Sequence, residues 1–216
     1  MVYYVNGSVE KSGNGSKESP FKKIQMAADV AVAGDEIIVA PGIYREYVNP
    51  KNAGEKGKPI VYRSEQIKAA HITGAESIKN WEKFEGDVWV TRIKNSFFGD
   101  YNPYKTLVSG DWFIAYMIAH TGDVFLNEKS MYEVTSLDSV KKPEVFIPSW
   151  DQEFSIYTWY TEQDEKNDET VIYANFQGKN PNEENVEISV RQDCFLPEAE
   201  GINYITLSGF KVSKAA

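Results

Sequence analysis

The last stretch of the chain constrains the fold most. Tyr204-Ile205-Thr206-Leu207-Ser208-Gly209-Phe210-Lys211-Val212-Ser213 reads as two short strands bent at Ser208-Gly209. That pattern is one corner of a coil in a parallel β-helix. Each coil of such a solenoid buries its inner face only against the next, so a single coil followed by a chain end leaves that face uncovered. The expectation is that more protein belongs after Ala216, or that these residues are a piece of a larger protein.

Residues 1–74 use the same vocabulary. Tyr3-Tyr4-Val5 is a short strand, and a Gly/Ser/Asn/Lys loop runs from Asn6 to Ser19. A helix is predicted next, with Ser19 as N-cap and Pro20 at the first helical position. Phe21, Ile24, Ala28, Ala31 and Val32 share one face at helical spacing, and Gly34 is the stop. A short amphipathic helix of this kind suits a lid over the open end of a solenoid. Short strands follow at Glu36–Ala40, Ile43–Val48, Pro59–Arg63 and His71–Gly74. Tight turns separate them, without Asn-Gly or Asp-Gly hairpin signals, which favours coiling in one direction over a meander.

Residues 75–193 change character. Strand-like runs sit at Val88–Val90, Trp112–Met117, Asp123–Leu126, Phe154–Tyr160, Thr170–Ala174 and Val186–Val190. Acidic turns separate them, and Thr161 to Asp168 reads as a polar hairpin loop. Several short alternating strands in roughly a hundred residues indicate a β-sandwich or jelly roll. Residues 194–216 return to solenoid chemistry. The expected fold is therefore all-β: a parallel β-helix cap with its first coils, interrupted by an inserted β-sandwich.

Composition narrows the partners. The chain has 216 residues, with five Trp and thirteen Tyr, and a formal net charge of −9. No Lys/Arg cluster supplies the positive field that phosphate binding needs, so nucleic acid and anionic membranes are poor partners. A neutral ligand such as a sugar fits the acidic, aromatic-rich composition, although ordinary solubility charge explains it equally well. A single cysteine, Cys194, excludes an internal disulfide and a Cys-rich metal site. The first residues lack the basic and apolar regions of a secretory signal, and no apolar run approaches the roughly 20 residues of a membrane span. The default compartment is cytoplasmic.

Most chemistry-bearing groups read as structural. Tyr44-Arg45-Glu46 places Glu46 and Arg45 on opposite faces of a strand, better suited to an ion pair or a turn-holding hydrogen bond than to catalysis. His71 and His120 lack the spacing of a helical zinc pair and read as surface or half-buried histidines. Ser208-Gly209 has no nucleophile-elbow context, Gly13-Asn14-Gly15 has no phosphate-loop context, and Cys194 reads as a buried thiol.

The pattern Pro20-Phe21, Ala33-Gly34-Asp35-Glu36-Ile37-Ile38-Val39, Pro41-Gly42-Ile43-Tyr44-Arg45-Glu46 resembles the N-terminal cap of right-handed parallel β-helix proteins that act on polysaccharides. Sharper matches follow at Asn95-Ser96-Phe97-Phe98-Gly99, Asn102-Pro103-Tyr104-Lys105, Gly110-Asp111-Trp112, Gly122–Asn127, Ile172–Gly178, Pro181–Glu184 and Gly201–Thr206. Together they are similar to the β-xylosidases of glycoside hydrolase family 120, over essentially the whole chain but only the N-terminal third or so of such an enzyme.

The resemblance implies exo-hydrolysis of xylo-oligosaccharides with retained configuration, a homo-oligomer in the full-length form, and a calcium-containing sandwich. Retention uses two carboxyl groups about 5 Å apart. In the family both lie on later coils, so no residue here inherits a catalytic role and the isolated chain is expected to be inactive. Trp112 matches a sandwich tryptophan that packs against sugar at the active-site mouth. Its indole can stack on the apolar face of a pyranose, whereas the alternative role is an ordinary core tryptophan. Calcium needs six to eight oxygen ligands. The loops holding Asn180, Asn182, Glu183 and Glu184, and Asp164 to Asp168, are oxygen-rich, but the sequence does not locate a site. The competing readings are a non-catalytic carbohydrate-binding sandwich and a ligand-free structural fragment.

Overall fold

The computed structural model describes residues 1–110 and 119–216. The fold is all-β with few helices. The chain forms two compact units, Met1–Gly74 with Asp193–Ala215, and Ala75–Gln192 with Ala216.

The first unit opens with β1 (Val2–Val5), helix α1 (Ile24–Ala28), β2 (Glu36–Val39), β3 (Gly42–Tyr44), β4 (Ile60–Ser64) and β5 (Ala70–Thr73). β1, β2 and β4 pair in parallel in one sheet, and β3 and β5 pair in parallel in another. Parallel neighbours cannot be joined by a hairpin. Here the chain passes from β2 to β3 and from β4 to β5, so each passage lays one strand on each sheet. Burial alternates as a period of two requires: Ile37, Val39, Ile60 and Tyr62 point into the core, and Glu36, Ile38, Val61 and Arg63 are half-exposed.

Helix α1 is shorter than its sequence suggests and starts elsewhere. It spans five residues, with extended Lys23 at its N-cap, so Ser19 and Pro20 do not open it. Phe21 sits in a parallel bridge with Val5, its N–H donating to the Tyr4 carbonyl at 2.9 Å. That strand pairing fixes the backbone in an extended state just where the helix was expected to begin. Ile24, Ala28 and Ala31 are buried as spaced, but Val32 is 54% exposed. The predicted strand after Pro41 likewise ends at Tyr44, and Val48 makes only an isolated bridge with Phe195.

The second unit contains β6 (Ala75–Ser77), β7 (Glu82–Glu85), β8 (Val88–Lys94), β9 (Val124–Leu126), β10 (Lys129–Ser130) and β11 (Tyr132–Glu133). Helix α2 (Leu137–Lys141), β12 (Thr158–Asp164), β13 (Glu169–Asn175) and β14 (Val186–Ser189) complete it. One sheet has the order β10-β9-β14-β6 and the other β11-β12-β13-β8-β7. All pairings are antiparallel except β11 with β12.

Both sheets of this unit contribute to one core, in which Leu126, Val186 and Ile188 of the first meet Trp159, Ile172 and Ala174 of the second. On the opposite face of β13, Val171 and Tyr173 join Val88, Val90 and Val140 of α2 in a smaller cluster. β13 is thus covered on both faces, which explains its nearly unbroken apolar run. Two sequence expectations change here. Thr161–Asp164 belongs to β12 rather than to a loop, leaving a turn at 165–168, and Phe154–Ile156 is a 3₁₀ turn rather than strand. The expected strand Trp112–Met117 lies outside the described residues.

The chain then returns to the first unit with β15 (Ile205–Ser208) and β16 (Lys211–Ser213). β15 adds in parallel to β4 and β16 to β5. The corner between them is made by Gly209 at φ +74°, a left-handed conformation that a side chain would strain.

Candidate functional site

Trp112 lies outside the described residues, but both flanks of its segment are placed. Leu107 and His120 form an antiparallel bridge. Val108 N donates to Ala119 O and Thr121 N to Thr106 O, both at 2.9 Å. The two ends of segment 109–118 are therefore held side by side.

Half-buried polar groups brace this base. Glu133, on β11, accepts from the His120 backbone N–H at 2.8 Å and contacts His120 Nδ1 at 2.5 Å. One carboxylate thus takes both a main-chain and a side-chain group of the same residue, fixing His120 in position and orientation. Thr121 Oγ1 pairs with Tyr101 Oη at 2.6 Å, and Gly122 N donates to Pro103 O at 3.1 Å. Tyr104, fully buried against Trp159 and Phe98, donates its hydroxyl to the Asp123 carbonyl at 2.7 Å. Asp123 Oδ1 accepts from Val124 N at 2.8 Å, and Oδ2 accepts a hydrogen bond from Ser130 Oγ. Burial pushes the Asp123 carboxyl up to about 6, against the hydrogen bonds from Ser130 and Val124 that favour its ionised form, and the charge of Glu133 pushes the same way as burial.

Beside this base lies a shallow hollow of about 340 Å³, lined by Asn95, Asp100, Tyr101, Asn102, Lys105 and Thr106. Asn102 shapes it. Its amide nitrogen donates to Asn95 Oδ1 (3.0 Å) and Thr170 Oγ1 (2.9 Å), and its Oδ1 accepts from Tyr104 N (2.9 Å). The lining is one phenol ring with amide, hydroxyl and charged groups, and its Asn95, Tyr101, Asn102 and Thr106 side chains are paired within the protein.

The remaining singled-out residues have structural work. Glu46 caps α1, taking Ile24 N on Oε1 and Gln25 N on Oε2, each at 3.0 Å. His71 is buried rather than surface, with Nε2 2.9 Å from Ser213 Oγ. Cys194 is a buried thiol whose Sγ lies 3.4 Å from Ser213 O. Ser208-Gly209 is the corner between β15 and β16.

The side chains of both acidic loops make hydrogen bonds within the protein. Asn182 spends its amide on both main-chain groups of Trp81, and Asn180 donates to Glu183. Glu184 accepts from Lys179 and Asn127. Asp164 is taken by the N–H and side chain of Asn167, which hold its carboxyl below the usual range, and Asp168 accepts from Asn95. Among the described residues no group of three or more His, Cys, Asp or Glu is placed to hold a metal.

Sequence reasoning missed Asp123, Glu133 and the Asn95–Asn102–Thr170 network. Asp123 opening an apolar strand was the only visible signal. The partners of the others lie 7 to 75 residues away along the chain and leave no local pattern.

Two largely antiparallel sheets lie in sequence between the parallel strands of the first unit, and comparison with known proteins shows the family to which this arrangement belongs. The sequence model for "Glycoside hydrolase 120, insertion domain" matches residues 78–188, within the second unit, and the chain belongs to glycoside hydrolase family 120. A solved structure described as "The complex structure of XylC with xylose" is 43% identical, with a TM-score of 0.90 over all of this chain and 35% of that one. The chain thus spans about a third of that protein's length. A second solved structure, described as "Glycoside hydrolase", shares the fold at 14% identity and a TM-score of 0.55, over all of this chain and 51% of that chain. An uncharacterized protein of Bacillus subtilis (strain 168), YwoF, is 34% identical over 79 residues, 37% of this chain and 17% of that protein.

Proposed function

We propose that this chain is the N-terminal portion of a retaining, exo-acting β-xylosidase that works on xylo-oligosaccharides. In this reading the first unit is the cap and first coils of a right-handed parallel β-helix, and the second is an inserted β-sandwich. The observation that carries it is 43% identity across all 216 residues to a protein solved with xylose. Two carboxyls flanking the scissile bond, one nucleophile and one acid/base, are required for retention. Glu133 is committed to His120 and Glu46 to α1; following the family resemblance, this reading assigns the catalytic pair to later coils and gives this portion the role of contacting sugar.

In this reading Trp112 supplies that contact by stacking on a pyranose face. The whole protein would act as a homo-oligomer in the cytoplasm. The family resemblance also implies a structural calcium in the second unit. A rise in thermal midpoint on adding calcium to chelator-treated protein would reveal it.

Titration with xylobiose, followed through the indole N–H signals, tests the sugar role. A saturable shift centred on the Trp112 signal is expected, and Trp112→Ala should weaken binding by about 1–3 kcal/mol with little loss of stability. If the variant unfolds the second unit and leaves binding by surviving protein unchanged, Trp112 is a core residue and the reading fails.

A further inference from the structure

His120 makes two contacts with a single carboxylate, and together they do more than hold a backbone. Glu133 Oε2 takes the His120 main-chain N–H at 2.8 Å, which by itself pins the residue beside Leu107. Oε1 lies 2.5 Å from Nδ1 and fixes the ring as well. The carboxylate is held in its turn. Glu133 pairs with Trp159 on β12, and the flanking amides of Tyr132 and Val134 donate to Tyr157 O (2.9 Å) and Trp159 O (2.8 Å). Next to His120, Thr121 is tied to Tyr101 and Thr106. The imidazole is thus oriented before any ligand arrives, the condition under which a polar contact costs least to make.

The pairing also decides which nitrogen carries the hydrogen. An ionised carboxylate only accepts, so Nδ1 donates, and in the neutral ring Nε2 keeps its lone pair. Nε2 has no hydrogen-bond partner among the described residues, and the side chain is 18% exposed. The carboxylate that braces the base therefore turns His120 into an acceptor.

Electrostatics and coordination chemistry narrow what that acceptor meets. An imidazole backed by a carboxylate is the usual arrangement of a metal ligand, but the described residues offer no group of three or more His, Cys, Asp or Glu around an ion. No hydroxyl or thiol of the described residues is bonded to Nε2, so the pair activates no nucleophile there. An anion would be repelled, since Glu133 stands close enough to Asp123 to bear on its ionisation. A cation would find both carboxylates already engaged, Glu133 with His120 and Asp123 with Ser130 and Val124. A neutral hydroxyl donor remains.

We propose that His120 is a second sugar-contacting residue, its Nε2 accepting a hydrogen bond from a hydroxyl of the xylo-oligosaccharide, and that Glu133 is the positioning residue that sets its tautomer and aim. This rests on the sugar reading above and adds a directional polar contact to the stacking one.

Nitrogen NMR of the imidazoles in the full chain, titrated with xylobiose, tests it. The chain has two histidines, and comparison with His120→Asn assigns the signals. Free wild type should show the Nδ1–H tautomer at His120, and xylobiose should move its Nε2 resonance with the same midpoint as the Trp112 indole signal. His120→Asn keeps a donor near the Nδ1 position and deletes the acceptor. Its xylobiose affinity should fall roughly three- to tenfold, the loss expected of one neutral hydrogen bond, with the urea midpoint held. Glu133→Gln can donate to Nδ1 instead of accepting, so it should turn the ring to the Nε2–H tautomer and weaken binding to a similar degree. A brace with no ligand role would move neither the Nε2 resonance nor the affinity. An Nε2 resonance that ignores xylobiose while the Trp112 indole responds overturns the inference and leaves the sugar reading standing. An Nε2–H tautomer in free wild type, or unchanged affinity in His120→Asn, overturns it too. If neither imidazole nor indole responds, the sugar reading fails and takes the inference with it. Where a variant misfolds, the wild-type titration alone decides.

Discussion

Glu46 carries the sharpest stability prediction. Its two carboxylate oxygens each accept one main-chain N–H at the start of α1, from Ile24 and Gln25, at 3.0 Å. Ile24 is fully buried, so its amide has no water to turn to when the carboxylate goes. A hydrogen bond to a charged acceptor contributes about 1.5–3 kcal/mol, and stranding a buried donor forfeits most of that. Two such bonds share one carboxylate, so Glu46→Ala should cost about 3–5 kcal/mol. Glu46→Gln keeps one acceptor oxygen but turns an NH₂ towards the other amide, and should cost about half as much. Urea unfolding followed by far-UV circular dichroism gives the free energies, and amide exchange of Ile24 and Gln25 should accelerate in step. A Glu46→Ala loss below about 0.5 kcal/mol would show that the cap is dispensable and refute the reasoning.

Two further perturbations probe the second unit. Asp123 is raised from an ordinary 3.8 to about 6, so the fold favours its protonated form. The stability this confers is complete below the unfolded pKa and disappears as pH rises through about 4 to 6. Asp123→Asn should therefore match wild type near pH 4 and exceed it by up to about 3 kcal/mol at pH 7 by urea unfolding, and a pH-independent difference would remove the group from the account. Gly122→Ala would place a Cβ 2.8 Å from the ring of Tyr104. That ring is packed by Phe98 and Trp159 and has nowhere to yield, so a loss of about 1–3 kcal/mol is expected, with a neutral result showing hidden slack.

Much of the fold was legible because short strands carry their own punctuation. Ile205–Ser208 and Lys211–Ser213 bend at Gly209 as their sequence indicates, and Glu36–Val39 and Ile60–Ser64 alternate cleanly between core and solvent. The errors share a cause in contacts from far along the chain. Phe21 fits a helical face, yet pairing with Val5 claims its backbone, and α1 is capped by a glutamate 22 residues away rather than by Ser19. Thr161–Asp164 looks like a polar loop because its side chains are hydrophilic, but antiparallel pairing with residues 169–172 satisfies its main chain. The braces at the base of segment 109–118 are side-chain bonds between distant residues, and no local pattern announces those.

The central claim is that these residues form the sugar-contacting N-terminal portion of a retaining glycoside hydrolase whose catalytic carboxyls lie elsewhere in the chain. The direct measurement is hydrolysis of an aryl β-xyloside by the purified 216-residue chain, beside a polypeptide extended to the length of its xylose-bound relative. The account predicts no turnover above background for the shorter protein, and cleavage by the longer one in which proton NMR shows the β-anomer formed first. Turnover that co-purifies with the 216-residue chain, or an α-anomer as first product of the longer one, would contradict it.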